Sequence, residues 1–271
     1  MIANKYDILE KIGNGKFGTV YKGEHIHSKQ SVAIKMEPTN NTYNTLKHET
    51  TVLNYLYHCG CRSIPPVLYY GIVSQNSCLI MDFYTQSLED YMKIRRKPEQ
   101  IDTIMSRAIQ ILGEIHSHKI VHRDIKPANF MLHQNQLYLI DFGMASVCEN
   151  TSSFGPGLGE PCRHLVGSPK YASFFVHEGQ EYEKRDDFIS LGYCYLYFVN
   201  GMLPWSDTSA VENSTDILHH ENQRRKSLKH WSHLGEYCKP RENIFLFLEY
   251  CYHAKKIDYD LLSQIFTPLS K

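Results

Sequence analysis

The segment His122-Arg123-Asp124-Ile125-Lys126-Pro127-Ala128-Asn129, followed by Asp141-Phe142-Gly143, sets two carboxylates, an amide and an ammonium close together in the chain. Such a set suits phosphoryl transfer, in which a protein positions groups and neutralises charge rather than forming bonds itself. In that chemistry Asp124 accepts or orients a substrate hydroxyl, while Asn129 and Asp141 hold Mg²⁺. The competing reading, ordinary solvated loop carboxylates, has to account for both clusters occurring in this order. Between them, Leu137-Tyr138-Leu139-Ile140 reads as a strand, since β-branched and aromatic residues sit beside turn signals. A loop, a short hairpin and a second loop would then aim both clusters at one point.

The elements upstream supply what such a site still lacks. Alternating apolar and polar residues begin at Tyr6–Leu9, break at Gly13-Asn14-Gly15-Lys16-Phe17-Gly18 and resume at Thr19–Gly23. That pattern predicts a hairpin around a glycine-rich turn. A dinucleotide-binding loop would need a helix directly afterwards, and a strand follows instead. Glycines at Gly13, Gly15 and Gly18 let backbone N–H groups approach phosphates; a flexible surface hairpin is the plainer alternative. Ser31–Met36 reads as a third strand carrying Val32-Ala33-Ile34-Lys35, whose lysine matches the pattern that reaches the α/β-phosphates. Helical spacing over Thr42–Leu56 places Glu49 mid-helix, able to pair with Lys35; His48 beside it points elsewhere and takes no role.

Pro65–Gly71 and Ser77–Met81 read as two further strands. Asp82-Phe83-Tyr84-Thr85 then connects two lobes, with backbone groups able to meet a nucleobase edge and Met81 behind that pocket. Ser87 is an N-cap with acids in the first turn, and Lys93–Lys97 is expected at that helix's far end. Ile101–His118 is strongly amphipathic and would support the catalytic loop from behind. Glu149–Arg163 has the composition of a loop. Asp186–Val199 is an apolar helix, residues 206–228 lack apolar periodicity, and Ile244–Tyr252 and Asp258–Phe266 read as closing helices.

Composition narrows the class. With 29 basic and 29 acidic residues the formal charge is zero, so no overall field recruits nucleic acid or an anionic membrane. The amino terminus lacks an apolar signal region, and runs such as Tyr193–Val199 are too short to span a bilayer. Eight cysteines are scattered, and Cys59-Gly60-Cys61 has no second ligand pair at zinc spacing. Reduced, mostly buried thiols in an intracellular protein are expected.

Assembled, these motifs resemble those of eukaryotic-type protein kinases over the whole chain, and within them the casein kinase I group. The residues that carry the likeness are His122–Phe130, Gly167-Ser168-Pro169-Lys170-Tyr171-Ala172-Ser173, Arg185–Tyr193 and Leu203-Pro204-Trp205. The resemblance implies an α+β, bilobal protein kinase fold over residues 1–271. It consists of an antiparallel strand-rich amino lobe with one main helix over about 1–82, a hinge at 83–85 and a helical carboxyl lobe over 86–271. ATP would bind between the lobes with Mg²⁺. By motif match, Ile12, Val20, Ala33, Met131 and Ile140 would sandwich adenine, Asp82 and Tyr84 would lie at the hinge, and Lys126 would steady the γ-phosphate. That lysine is the serine/threonine form. Ser168 would contact Asp124 and line the acceptor site, and Asp187 would brace the catalytic-loop backbone. Protein substrates with serine or threonine acceptors are implied, and a monomer is the default. A scaffold without activity is the alternative, and it would predict a broken Lys35, Asp124, Asn129 or Asp141.

The sequence departs from the group where substrates are read. Ser173-Phe174-Phe175 replaces the usual S-I-N, and Ala145 and Ser146 stand where lysines are common. Lys170 remains to read acidic acceptors. The basic stretch expected after Trp205 gives way to Ser206–Asp216, which carries Asp207, Glu212 and Asp216. Arg224-Arg225-Lys226 either substitutes for it or is an exposed helix end. Arg123 could meet a phosphate at Thr151, Ser152 or Ser153. The regulatory tail of some relatives is not expected in so compact a chain, a form that some viruses encode.

Overall fold

The computed structural model describes residues 1–14, 18–40, 45–94, 96–148, 167–206 and 215–266, with the side chains of 215–220 excepted. In chain order come strands β1 (Tyr6–Asn14), β2 (Thr19–His25) and β3 (Ser31–Pro38), helix α1 (Thr45–His58), and strands β4 (Val67–Val73), β5 (Asn76–Asp82) and β6 (Gln86–Ser87). Helices α2 (Leu88–Tyr91) and α3 (Pro98–Ser117) lead to strands β7 (Ile120–Val121), β8 (Phe130–His133), β9 (Gln136–Leu139) and β10 (Ser146–Val147). Helices α4 (Phe174–His177), α5 (Lys184–Asn200), α6 (Thr215–Lys229), α7 (Trp231–Cys238), α8 (Glu242–His253) and α9 (Tyr259–Ile265) follow. The chain divides into two compact units, Met1–Tyr91 with Ala128–Ala145, and Met92–Pro127 with Ser146–Lys271. The α+β class, with an antiparallel strand-rich first part and a helical second part, is as the motifs implied.

In the first unit a five-stranded antiparallel sheet runs in the order β1-β2-β3-β5-β4. Alternation along β3 sends Val32 and Ile34 into a core with Ile2, Tyr6, Cys78 and Ile80. The same alternation turns Ala33 and Lys35 to the opposite face, opposite Met81 and Leu79 of β5. Helix α1 packs its buried Leu46, Val52, Leu53 and Leu56 inward and buries Glu49 with them. Its first turn is held by Glu37 of β3, whose Oε2 accepts from Thr45 Oγ1 at 2.8 Å and Leu46 N at 3.1 Å. The β8–β9 hairpin turns through Gln134 and Asn135, both at positive φ, the conformation that two-residue hairpin turns require.

The second unit is built on two apolar helices. Pro98 opens α3, whose Ile101, Ile104, Met105, Ala108, Ile111, Leu112 and Ile115 form its buried stripe. Helix α5 is buried without a break from Asp186 to Leu196, on every face, and carries the polar Asp186, Asp187 and Ser190 inside with its apolar residues. Phe188 and Tyr193 of α5, Phe247 of α8 and Trp205 are fully or nearly fully buried beside it. Among the described residues no helix is long and apolar enough to cross a membrane.

Two stretches differ from the sequence reading. Helix α2 ends at Tyr91, so Lys93 lies beyond it, and Lys97 stands at the N-cap position of α3 rather than at the end of a helix. Residues 215–229, without apolar periodicity, nevertheless form α6. Among its described side chains, the one that is buried is Lys229 at its last position.

Candidate active site

In the first unit three side chains that are remote in sequence meet. Lys35 Nζ donates to Glu49 Oε1 at 2.7 Å and to Asp141 Oδ1 at 3.0 Å. Glu49 is 2 % exposed and Lys35 14 %, whereas Asp141 keeps 42 % of its side chain in solvent. Burial opposes charge on Lys35, but the Asp141 and Glu49 carboxylates outweigh it and raise its pKa, so the ammonium persists. Burial pushes the Glu49 carboxyl up, against the pull of Lys35. Asp141 itself is left-handed, at φ 69°, and Ile140 N donates to Asn129 O at 2.9 Å just before it. The backbone thus brings Asn129, 4 % exposed, alongside Asp141. A carboxylate and an amide oxygen are the hard donors Mg²⁺ prefers, and an adjacent ammonium suits the phosphates it accompanies. The residues fit both.

Cross-strand register places Val20 opposite Lys35 and Ala33 opposite Met81, on the face away from the core. Met131 pairs with Tyr138 in the β8–β9 hairpin. Met81 is buried, while Ile12 remains 47 % exposed on β1. The Asp82 carboxylate accepts from Gln30 Nε2 at 2.9 Å. Tyr84 is buried and stacked on Tyr138 with ring centroids 4.2 Å apart. A Cβ on Gly13 would meet Val20 Cβ at an ordinary 3.9 Å, but a Cβ on Gly18 would lie 2.1 Å from Met36 O. Close approach of two strands therefore requires glycine at Gly18, whatever it does for phosphates. Gly15, the segment 149–166 with Thr151, Ser152 and Ser153, and the acidic residues Asp207 and Glu212 lie outside the described residues.

In the second unit Asp124, 8 % exposed, is gripped from two sides. Ser168 donates to its Oδ1 through both N and Oγ, each at 2.9 Å, and Lys126 Nζ donates to its Oδ2 at 2.6 Å. Lys126 also reaches Ser168 Oγ at 3.3 Å. Gly167 makes this approach possible: at φ 84° a Cβ there would lie 2.4 Å from Arg123 O. A carboxylate held beside a serine hydroxyl and an ammonium can orient an incoming hydroxyl and accept its proton. The loop behind it is tied to α5, where Asp187 accepts from His122 N at 2.8 Å and Arg123 N at 3.0 Å. His116 Nε2 lies 2.9 Å from the same carboxylate, and Tyr182 OH donates to it at 2.7 Å. Burial would raise the Asp187 pKa, but the His116 contact and its neighbours hold it below the usual carboxylate range.

Some residues differ from the sequence reading or were not singled out by it. His48 points away from Lys35, as expected, but it has a partner there. Its Nε2 lies 2.7 Å from Ala145 O, linking α1 to the chain just after Asp141-Phe142-Gly143. Neither neighbour is close in sequence, so only the packing of α1 reveals the contact. Glu37 and Tyr182 bond nearer partners, eight or nine and five positions along the chain, but no motif marks them. Lys170 places its ammonium 4.2 Å from the centroid of Tyr197. Arg225 and Lys226 are paired with Glu221 at 3.0 Å and with Glu178, so the late basic run is engaged within the fold.

The arrangement is that of a protein kinase domain. The model of that family matches residues 6–261, and the chain belongs to it. Within the family it is similar to casein kinase I homolog 1 of Schizosaccharomyces pombe, at 30 % identity over 279 aligned positions that take in 97 % of this chain. The chain spans 60 % of the length of that relative.

Proposed function

We propose that the chain transfers the γ-phosphate of ATP to serine or threonine hydroxyls of protein substrates, with Mg²⁺, in the manner its likeness to casein kinase I suggests. The observation that carries the reading is the intact ion-pair set of Lys35 with Glu49 and Asp141, which an inactive scaffold has no need to keep. Bound Mg²⁺ would supply neutralisation of the phosphate charge. The chain's own residues do the rest. Lys35, fixed by Glu49, presents an ammonium to the phosphates, and Asn129 and Asp141 offer the oxygen donors that hold the metal. Ala33, Val20, Ile12, Met131, Ile140 and Met81 enclose the base, whose edge meets backbone groups at Asp82 and Tyr84. Gly13, Gly15 and Gly18 belong to the turn that covers the phosphates.

On the acceptor side Asp124 orients the hydroxyl and takes its proton, Lys126 steadies the transferred group, and Ser168 holds Asp124 in place. Lys170, two residues after Ser168, favours acidic residues near the acceptor. The test is transfer of label from radiolabelled ATP to an arrayed peptide library, with and without priming phosphates. Labelling of serine and threonine peptides that disappears in Asp124→Asn is expected. A wild-type protein that labels nothing while binding nucleotide would instead favour the scaffold reading.

A further inference from the structure

Lys229, the last residue of α6, is fully buried. Its Nζ donates to Pro169 O at 2.9 Å and Ala172 O at 2.6 Å, and lies 3.1 Å from His177 Nε2. The rings of Tyr193 and Trp205 cover it, at 5.1 and 5.2 Å from their centroids. These partners are carbonyls, an imidazole and aromatic faces, with no carboxylate among them. A lysine is an expensive way to fill a buried space that methionine or leucine would fill, so its hydrogen bonds must matter. Burial pushes its pKa down, yet in either protonation state two N–H groups remain for the two carbonyls. Burial and the neighbouring lysine push His177 down to about 3, so the imidazole is neutral.

The carbonyls that Lys229 holds belong to one short turn. Tyr171 N and Ala172 N both donate to Ser168 O at 2.9 Å, so Ser168–Ala172 folds on itself. Trp205 Nε1 fixes the carbonyl of Lys170 between them, at 2.7 Å. At its far end Ser173 Oγ bonds Asp186 and accepts from Val176 N. At its near end Ser168 bonds Asp124 through two donors. The turn is thus a plate of backbone whose front edge is Ser168 on Asp124 and whose underside is held by one lysine.

We propose that Lys229 is a positioning residue for the protein acceptor: by fixing the Pro169 and Ala172 carbonyls it keeps Ser168 on Asp124. The proposal rests on the kinase reading above and deepens it. Lys229 then governs transfer to the acceptor and leaves nucleotide binding alone, because Lys35, Glu49 and Asp141 belong to the other compact unit.

The test measures acceptor kinetics, nucleotide affinity by fluorescence and melting temperature for Lys229→Met, His177→Leu and His177→Gln. Lys229→Met should lower kcat/KM for a peptide acceptor roughly ten- to hundredfold, as a misplacement of about 1 Å does, with nucleotide affinity within about twofold. Should Lys229→Met not fold, the partly exposed His177 decides. His177→Leu removes one partner of the lysine and should raise peptide KM about threefold, the effect of one lost hydrogen bond, while His177→Gln keeps an acceptor and wild-type values. Equal losses of nucleotide affinity and transfer, or wild-type kinetics throughout, would overturn the assignment. A wild-type protein without transfer activity would sink the kinase reading instead.

Discussion

Lys35 Nζ and Asp141 Oδ1 stand 3.0 Å apart although 106 positions separate them, and the same ammonium reaches Glu49 at 2.7 Å. One cation is thereby shared between a buried carboxylate that fixes it and a half-exposed carboxylate that can face a metal. Replacing either end should show the division of labour. Lys35→Met and Asp141→Asn are each expected to lower phosphate transfer by at least two to three orders of magnitude, about the loss seen when a preorganised charge contact is removed. Circular dichroism should find both variants folded. Near-wild-type transfer in either would show that the roles are wrongly assigned.

Asp124 is held by two donors of Ser168 and one of Lys126, so graded substitutions should give graded losses. Asp124→Asn removes the base and is expected to cost about 10²–10⁴-fold in kcat. Ser168→Ala leaves the backbone donor in place and should cost roughly tenfold, about one hydrogen bond to a charged group, with Ser168→Thr close to wild type. A Ser168→Ala enzyme as inactive as Asp124→Asn would mean that the hydroxyl does more than hold the carboxylate.

His48 ties α1 to the Ala145 carbonyl at 2.7 Å, and α1 carries Glu49. His48→Leu should therefore raise KM for ATP about threefold, on the order of one lost hydrogen bond, and His48→Gln should keep it low because its amide can still donate. Steady-state kinetics with saturating peptide separate the two. Identical constants for both variants would remove His48 from the nucleotide-binding machinery.

Asp186 and Asp187 are adjacent on α5 and shifted in opposite directions. Burial pushes Asp186 up to about 6, only partly offset by the Ser173 hydroxyl. A carboxyl raised in the folded state contributes stability that is complete below its ordinary value of 3.8 and lost as pH rises through about 6. Asp186→Asn should flatten the stability profile across that window by about 3 kcal/mol, the equivalent of the shift. Asp187, held low, has the reverse sign: its contribution is present above the ordinary value and is lost only as pH falls below it. Denaturant unfolding at pH 4 and pH 7 reads the difference, and parallel profiles for wild type and Asp186→Asn would refute the assignment.

Lys170 sits over Tyr197 in the turn that begins at Ser168, and the proposed function gives it the reading of a substrate's acidic residues. Lys170→Glu is expected to reduce kcat/KM for acidic peptides roughly tenfold more than for neutral ones, about the value of reversing one exposed charge contact. Equal loss on both peptide classes would show that the residue supports the turn without reading charge.

Residue types and their order were enough to name the reacting groups. Asp124, Asn129, Asp141, Lys35 and Glu49 stand in motifs whose spacing already presupposes a strand, a loop or one turn of helix. The alternation of β3 and the stripe of α3 follow from periods of two and of three to four residues, and hydrophobic burial enforces both. The tertiary structure alone decided the supports. His48 at Ala145 and Lys229 beneath the acceptor turn are polar residues chosen by partners far away in the chain, while Glu37 at the start of α1 and Tyr182 at Asp187 are chosen by nearer partners that no motif marks. Helix α6 has no periodic mark in the sequence, and among its described side chains the buried one is the Lys229 cation on its carbonyl oxygens. A pattern along the chain records which face is dry, whereas a hydrogen bond between distant elements is recorded only where the two groups meet.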